Sequence, residues 1–111
     1  HGSVMDLAYL KTVLRLARQH DFLVVMDECY SDIWRHTPPP GMIEAAAALA
    51  ADASGQDAHN QNALDQDTLD QDAPGQDPLR NLVVLNSLSK RSGAAGLRAG
   101  FMVGDQTVIT Q

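Results

Sequence analysis

The sequence has 111 residues, of which 44% are hydrophobic and 5% are aromatic, and this composition suits one globular domain of modest size. Residues 53–77 account for the formal charge of −6, because they hold six of the fourteen acidic residues and no Lys or Arg. The remaining eight acidic residues balance the eight basic ones. No basic stripe favours a nucleic-acid partner, and no apolar run approaches the roughly 20 residues that span a bilayer.

The first residues and the single cysteine bear on where the protein works. Residues 1–6 have neither the basic region nor the apolar region of a signal peptide. They do not begin with Met, which suggests a segment cut from a longer chain. Cys29 alone cannot form an internal disulfide, which fits a reducing compartment. We therefore expect a cytoplasmic protein with no membrane partner.

The first predicted element is a helix over about residues 4–20. Ser3 can cap its N-terminus, and Asp6 three residues later suits the positive end of the helix dipole. Apolar side chains then recur at helical spacing, which predicts one buried face. They are Leu7, Leu10, Leu14 and Ala17. Arg18 and the other basic residues are expected off this face.

Two strands are predicted at residues 22–26 and 81–85, from continuous apolar runs at 22–26 and 82–85. Neither run alternates with polar residues, which indicates strands buried on both faces, as in a parallel sheet. An Ala-rich helix is predicted over residues 42–51, between the two strands. The order of strand, helix and strand indicates an α/β fold.

A third strand is predicted over residues 97–103, with Gly100 inside it. Glycines at positions 93, 96, 100 and 104 recur through this part of the chain. Because glycine has no Cβ, such a run predicts that the backbone between residues 90 and 105 approaches other atoms closely.

Residues 53–77 form a tandem repeat of five pentads, each with Gln fourth and Asp or Asn fifth. The segment has almost no apolar content and cannot offset an ordering cost of roughly 1–2 kcal/mol per residue. We interpret it as a disordered acidic insertion on the surface. A calcium-binding loop is the more specific alternative, because one residue separates Asp65 from Asp67, a spacing found between acidic calcium ligands. The glycine and terminal glutamate of an EF-hand are absent, so we expect no metal.

Polar residues of the types that act in catalysis and ligand binding follow the predicted strands. Asp27 ends the first apolar run, and in open α/β sheets sites gather at the carboxyl ends of strands. Tyr30 comes three residues after Asp27. After the second run comes Ser87-Leu88-Ser89-Lys90, and Arg98 follows Lys90 by eight positions.

In this order and spacing, these residues resemble the core of the fold-type I pyridoxal-phosphate aminotransferases of class I and II. Members of that family place a tyrosine three residues after an aspartate, and the lysine that binds the cofactor lies in a Ser-x-Ser-Lys run. The resemblance implies an α/β/α domain with a mainly parallel sheet. Residues 1–111 would be the central part of that large, cofactor-binding domain, and residues 53–77 an insertion within it.

The resemblance also implies roles for the residues around pyridoxal 5′-phosphate. Lys90 would hold the cofactor covalently and later move a proton during the reaction. Asp27 would keep the pyridine nitrogen protonated, because a neighbouring carboxylate favours the charged form. Tyr30 would donate a hydrogen bond to the ring oxygen O3′.

The phosphate group of the cofactor would be held by a second set of residues. Arg98 matches the family's arginine and would bind the phosphate through its paired N–H groups. Ser87 and, less directly, Ser89 would donate from their hydroxyl groups. These six residues are the predicted cofactor site, with Lys90 as its catalytic residue.

Within the family, the runs around Asp27, Lys90 and Arg98 resemble the N-succinyldiaminopimelate aminotransferases, although those have Asn and Pro where this chain has residues 93–95. The implied reaction moves an amino group between glutamate and N-succinyl-2-amino-6-oxopimelate, in lysine and diaminopimelate biosynthesis. The implied partners are small amino acids and keto acids and a second subunit in a homodimer. Another class I/II aminotransferase, a C–S lyase and an aminotransferase-like regulatory domain are the alternatives. The 111-residue segment is not expected to be active alone.

Overall fold

The computed structural model describes residues 3–56 and 76–111. The predictions of a disordered insertion and of a calcium loop fall on residues that lie mostly outside these ranges. The described elements are α1 (Leu7–Gln19), β1 (Val24–Asp27), α2 (Met42–Gln56), β2 (Leu82–Ser87), α3 (Leu88–Arg91), a 3₁₀ turn (Ala95–Leu97), β3 (Gly100–Gly104) and α4 (Gln106–Ile109).

Helix α1 begins later than predicted, because Asp6 and not Ser3 is its N-terminal cap. The Asp6 carboxylate accepts a hydrogen bond of 2.8 Å from the backbone N–H of Tyr9. The predicted apolar face is confirmed, with Leu10 among its fully buried residues. Arg18 is also buried, contrary to the prediction, because its guanidinium donates to the carbonyl oxygen of Pro78 at 2.7 Å.

The three strands form one mixed sheet in the order β1-β2-β3. Strands β1 and β2 are parallel, with Val24 opposite Leu82, and they are linked through α2 as predicted. Strand β3 runs antiparallel to β2 and places Gly104 opposite Val83. The α/β fold class is therefore confirmed, with one parallel and one antiparallel strand pair.

The hydrophobic core lies between the sheet and the two long helices. Its buried residues are Leu10, Leu14 and Ala17 of α1, Met42, Ala45, Ala46 and Leu49 of α2, and Val24, Leu82 and Val84 of the sheet. Burial of apolar surface of this kind is the main force that holds such layers together. Both helices therefore cover the same face of the sheet.

The other face of the sheet is partly open in the described part of the chain. Val25 and Met102 lie on it, and each side chain is 57% exposed. The prediction that residues 22–26 form a strand buried on both faces is therefore wrong for this chain segment. The physical reason is that α1 and α2 pack on the opposite side, so neither of these two helices covers Val25.

The glycines after Lys90 serve two different purposes. A Cβ on Gly104 would lie 2.2 Å from the carbonyl oxygen of Leu82, and one on Gly100 would lie 2.7 Å from that of Asn86. Close backbone approach is thus confirmed at these two positions. Among the described residues, and apart from its own chain neighbours, Gly96 has nothing within 4 Å of such an atom, and Gly93 instead supplies a left-handed turn with φ +62°.

Asp105 joins the start of β2 to the end of β3. Its carboxylate accepts from the N–H of Thr107 at 2.8 Å, from the Thr107 hydroxyl at 2.6 Å, and from the N–H of Asn81 at 2.8 Å. These bonds, the Thr107 hydroxyl first, hold the pKa of the buried Asp105 below its ordinary value of 3.8. Asn81 itself is left-handed, with φ +61°, a conformation that asparagine tolerates.

Asp105 should make stability depend on pH in acid. A carboxyl whose pKa is lowered by folding contributes fully above its unfolded value of 3.8, and the contribution is lost as the pH falls through the folded pKa. Asp105→Asn should cost about 1–3 kcal/mol near pH 7, because an amide nitrogen would face a backbone N–H. Thermal unfolding of the full-length protein from neutral to acid pH checks this: the difference from wild type should shrink below pH 3.8. A constant difference would contradict the assignment.

Candidate functional site

Two predicted site residues lie at the same edge of the sheet. Asp27 ends β1 and Ser87 ends β2, and parallel strands bring their carboxyl ends to one edge. Asp27 pairs with Leu85, and Ser87 follows Leu85 by two positions. Since side chains alternate along a strand, Asp27 and Ser87 share one face, the face opposite α1 and α2.

Asp27 is held as a carboxylate by the residue two positions later. The thiol of Cys29 and the backbone N–H of Cys29, whose nitrogen lies 3.0 Å from Asp27 Oδ1, lower the pKa of Asp27 from its ordinary value. The same contact, followed by burial, raises the pKa of the Cys29 thiol. Asp27 therefore presents a negative charge at the sheet edge, and Cys29 stays a protonated thiol at neutral pH.

Ser87 and Ser89 meet at the start of α3, the short helix that carries Lys90. Ser87 Oγ caps this helix by accepting a hydrogen bond of 3.2 Å from the N–H of Ser89. The N–H of Leu88 donates to the carbonyl oxygen of Ala99 at 3.1 Å, which ties α3 to the start of β3. A hydroxyl also has one hydrogen to donate, so the capping role leaves Ser87 able to bind an anion.

Lys90 and Tyr30 are brought together although they lie in different segments. The Lys90 Nζ atom lies 5.7 Å from the centre of the Tyr30 ring, within the range of a cation–π contact. Both side chains are exposed, so the amine and the phenol face the same open space. The contact places the predicted catalytic lysine over the turn that follows Asp27.

Arg98 has an unusual backbone conformation. It is left-handed, with φ +50° and ψ +39°, directly after the 3₁₀ turn. This conformation costs a residue other than glycine roughly 1–2 kcal/mol, and such outliers cluster at functional sites. The same bend explains why β3 begins at Gly100 and not at Leu97, as predicted.

The structure joins four of the six predicted residues in pairs, Ser87 with Ser89 and Lys90 with Tyr30. Within the described chain, no hydrogen bond or ion pair links Asp27 or Arg98 to the other predicted residues. Asp27 is placed near them by the sheet register, and Arg98 by the bond between Leu88 and Ala99.

Glu28 is a supporting residue that the sequence analysis missed. Its Oε1 atom accepts a hydrogen bond of 2.7 Å from the N–H of Met42 and so caps α2. A Cβ on Gly41 would lie 3.1 Å from Glu28 Oε2, so the glycine leaves room for this carboxylate. The signal was present, because Pro40 and Gly41 precede α2 and neither has a side chain that can cap a helix.

Arg91 and Asp32 form a second supporting contact. Arg91 Nε lies 3.1 Å from Asp32 Oδ2, and both side chains are about half exposed. No local spacing could have found this pair, because its members lie on opposite sides of the insertion. The contact links α3 to the turn that carries Tyr30.

The described residues also bear on metal ligation and on membrane insertion. Among residues 3–56 and 76–111, no group of three or more His, Cys, Asp or Glu side chains is placed to hold a metal ion. In the same ranges, no helix has both the length and the apolar character that a membrane crossing requires.

Comparison with known proteins gives matches along the whole chain. The family model described as aminotransferase class I and II matches residues 1–111. A probable aminotransferase of Mycobacterium tuberculosis is 32% identical over 110 residues, which are 99% of this chain and 20% of that protein.

Solved structures of aminotransferases also match this chain. A crystal structure of an aminotransferase from Helicobacter pylori has a TM-score of 0.69 and 35% identity. One from Neisseria meningitidis has a TM-score of 0.67 and 33% identity. Each match covers 98% of this chain but only 22% and 21% of the solved chains. The chain therefore spans about one fifth of the length of the relatives that it matches.

Proposed function

Because the chain belongs to the class I and II aminotransferase family, we propose that the protein containing it is an aminotransferase that moves an amino group between an amino acid and a keto acid. The family depends on pyridoxal phosphate. Residues 1–111 would form the central part of the cofactor-binding domain. The observation that carries the proposal is the position of Lys90 over Tyr30, beside the sheet edge where Asp27 ends β1.

The charges and donors at the site fit this cofactor at both of its ends. Asp27 is an exposed carboxylate with a lowered pKa, which suits a cationic ring nitrogen. The Arg98 guanidinium is exposed, and it suits a phosphate dianion together with the Ser87 hydroxyl. Ser89 supplies a further hydroxyl in the same turn, and the phenol of Tyr30 can donate to an oxygen on the ring.

Different residues of the chain would have different roles in the reaction. The bound cofactor would supply an electron sink for the pair released when the substrate loses its Cα proton. Lys90 would hold the cofactor, and its amine, once free, would take that proton and return it to a neighbouring carbon. Asp27 would maintain the charge that makes the ring an acceptor of electrons. Tyr30 would orient both the Lys90 amine and the ring oxygen.

The direct test is to find where the cofactor is attached. The full-length protein, treated with pyridoxal phosphate and then borohydride, should carry the reduced cofactor on the peptide that contains Lys90. Lys11 is the matched control, because it is the only other lysine of this chain and it pairs with Asp52 in the helical layer. Label on Lys11, or no label on Lys90, would contradict the proposal.

We propose glutamate as the amino donor and N-succinyl-2-amino-6-oxopimelate as the keto acid. The support is the resemblance of the runs around Asp27, Lys90 and Arg98 to enzymes with that substrate. Profiling the full-length enzyme against a panel of amino donors and keto acids tests this choice. A higher kcat/KM for another keto acid would reassign the substrate, and release of a thiol from a cysteine conjugate would indicate a C–S lyase. Sedimentation of the same protein tests the proposed homodimer.

Replacement of Arg98 by glycine should affect backbone stability and phosphate binding in opposite directions. Arg98→Gly removes the left-handed strain and should leave the cofactor-free protein as stable as wild type or about 1 kcal/mol more stable. It should weaken the affinity for pyridoxal phosphate by about 10- to 100-fold, the usual effect of losing charge-assisted hydrogen bonds. Thermal unfolding and a cofactor titration measure the two effects. Arg98→Lys keeps the charge and the strain, so it should lose less affinity and gain no stability.

A further inference from the structure

The ion pair between Arg91 and Asp32 joins the two segments that carry the lysine and the tyrosine of the site. Arg91 follows Lys90 in α3, and Asp32 lies two residues after Tyr30. We propose that Arg91 and Asp32 are positioning residues that hold the Lys90 amine in the orientation needed for its bond to the cofactor. This inference rests on the function proposed above.

Helix α3 needs such support because it has only four residues. A helix of this length is not stable by itself, since its hydrogen bonds do not compensate for the cost of nucleation. The cap from Ser87 and the bond from Leu88 to Ala99 both act at its N-terminal end. At the other end, the N–H groups of Ser92 and Ala94 donate to the carbonyl oxygen of Leu88, and these bonds stay within the same segment. Arg91 is the last residue of α3, and its ion pair with Asp32 joins that end to the turn that carries Tyr30.

The turn that carries Tyr30 and Asp32 is itself held by several hydrogen bonds, so Asp32 has a fixed position. The N–H of Ser31 donates to the carbonyl of Glu28 and that of Ile33 to the carbonyl of Tyr30, each at 3.0 Å. The Glu28 carboxylate in turn caps α2 through Met42. Asp32 therefore projects from a turn that is fixed to both the sheet and the helical layer.

Two contacts between the same two segments define an orientation that one contact would leave open. Lys90 Nζ lies 5.7 Å from the centre of the Tyr30 ring, and Arg91 pairs with Asp32 in the adjacent position. Without Arg91, α3 could rotate, and the unpaired Asp32 carboxylate would attract the Lys90 ammonium away from the ring.

The step that depends on this orientation is the attachment of the cofactor. The Lys90 nitrogen bonds to the aldehyde carbon, and the aldehyde oxygen leaves as water with the two hydrogens of the amine. Misplacement of a reacting group by about 1 Å can lower a rate considerably. A half-exposed ion pair has a modest effect, so we expect the rate of attachment to fall by about two- to fivefold when it is lost.

The experiment compares two ligands of the cofactor-free, full-length protein. Pyridoxal phosphate reports the rate of bond formation at Lys90, followed by borohydride trapping over time. Pyridoxine 5′-phosphate has an alcohol in place of the aldehyde, so its affinity reports binding without the bond. Arg91→Met should slow attachment but leave the affinity for pyridoxine phosphate unchanged. Arg91→Lys should restore most of the rate, because it keeps a cation opposite Asp32.

Arg15 offers a matched control. It is 53% exposed and Arg91 is 50% exposed, so Arg15→Met removes an equally exposed arginine whose longer ion pair, 3.9 Å to Asp52, lies between the helices α1 and α2. Arg15→Met should attach the cofactor at the wild-type rate. The inference is overturned if Arg91→Met also does so, or if it weakens pyridoxine phosphate binding as much as it slows attachment. Wild-type protein that never attaches the cofactor to Lys90 would instead refute the proposed function and this inference with it.

Discussion

Lys90→Ala in the full-length protein should lower the rate of amino transfer by at least about 10²–10⁴-fold, the usual contribution of a positioned proton-transfer group. The substitution removes both the amine that would hold the cofactor and the base that would move the Cα proton. It should not unfold the protein, because the Lys90 side chain is exposed, with its amine over the Tyr30 ring. Steady-state kinetics with saturating cofactor and a circular dichroism spectrum provide the two measurements.

Two further variants separate the role of the amine from that of the charge. Lys90→Arg keeps a cation over Tyr30, but a guanidinium does not give up its proton, so this variant should be as inactive as Lys90→Ala. Lys11→Ala should retain wild-type activity. Added methylamine should partly restore Lys90→Ala, because a small amine can take the vacated place. Wild-type turnover by Lys90→Ala would rule out the assigned role.

Gly104→Ala should destabilise the protein by about 3 kcal/mol or more, at the upper end of the range for overpacked sites. A Cβ at this position would lie 2.2 Å from the carbonyl oxygen of Leu82 and 2.8 Å from the Cα of Val83. Both obstacles are backbone atoms of the central strand, so a side-chain rotation cannot relieve the clash. Relief requires β2 and β3 to move apart, which breaks the pairing that precedes Asp105.

Gly96→Ala is the matched control for this prediction. Apart from its chain neighbours, no atom of the described residues lies within 4 Å of the added carbon, and the backbone of Gly96 is not left-handed. The substitution should therefore be neutral or should stabilise by about 0.4–1 kcal/mol through the unfolded state. Urea unfolding of both variants gives the comparison. Equal stability of Gly104→Ala and Gly96→Ala would mean that β3 does not pack against β2 as described.

The sequence predicted the helices better than the strand limits. Helical spacing identified the buried residues of α1 because periodicity averages over several turns. The strands are four to six residues long, so a single local contact moves an end. The N–H of Phe22 donates to the carbonyl of Ala17 and keeps the chain bound to α1 until Val24, where β1 begins. The left-handed Arg98 delays β3 in the same way.

The spacing of the candidate site predicted which residues matter but not what holds them. The sheet register places Asp27 and Ser87 at one edge, as strand ends followed by polar residues had indicated. The cap from Glu28 to Met42 and the pair of Arg91 with Asp32 connect distant parts of the chain, so no periodic pattern reports them. Only the three-dimensional arrangement brings such partners together.

The pentad repeat joins the domain at points remote from the predicted chemistry. Helix α2 has its N-terminus fixed to Glu28 near the site and ends at Gln56, about 22 Å further along its axis. The chain re-enters the described fold at Gln76, before the amino end of β2, whereas Lys90 follows its carboxyl end. Gain or loss of whole pentads, as replication slippage produces in repetitive DNA, would therefore leave the lysine in place. The length of the repeat is therefore set independently of the elements that position Lys90.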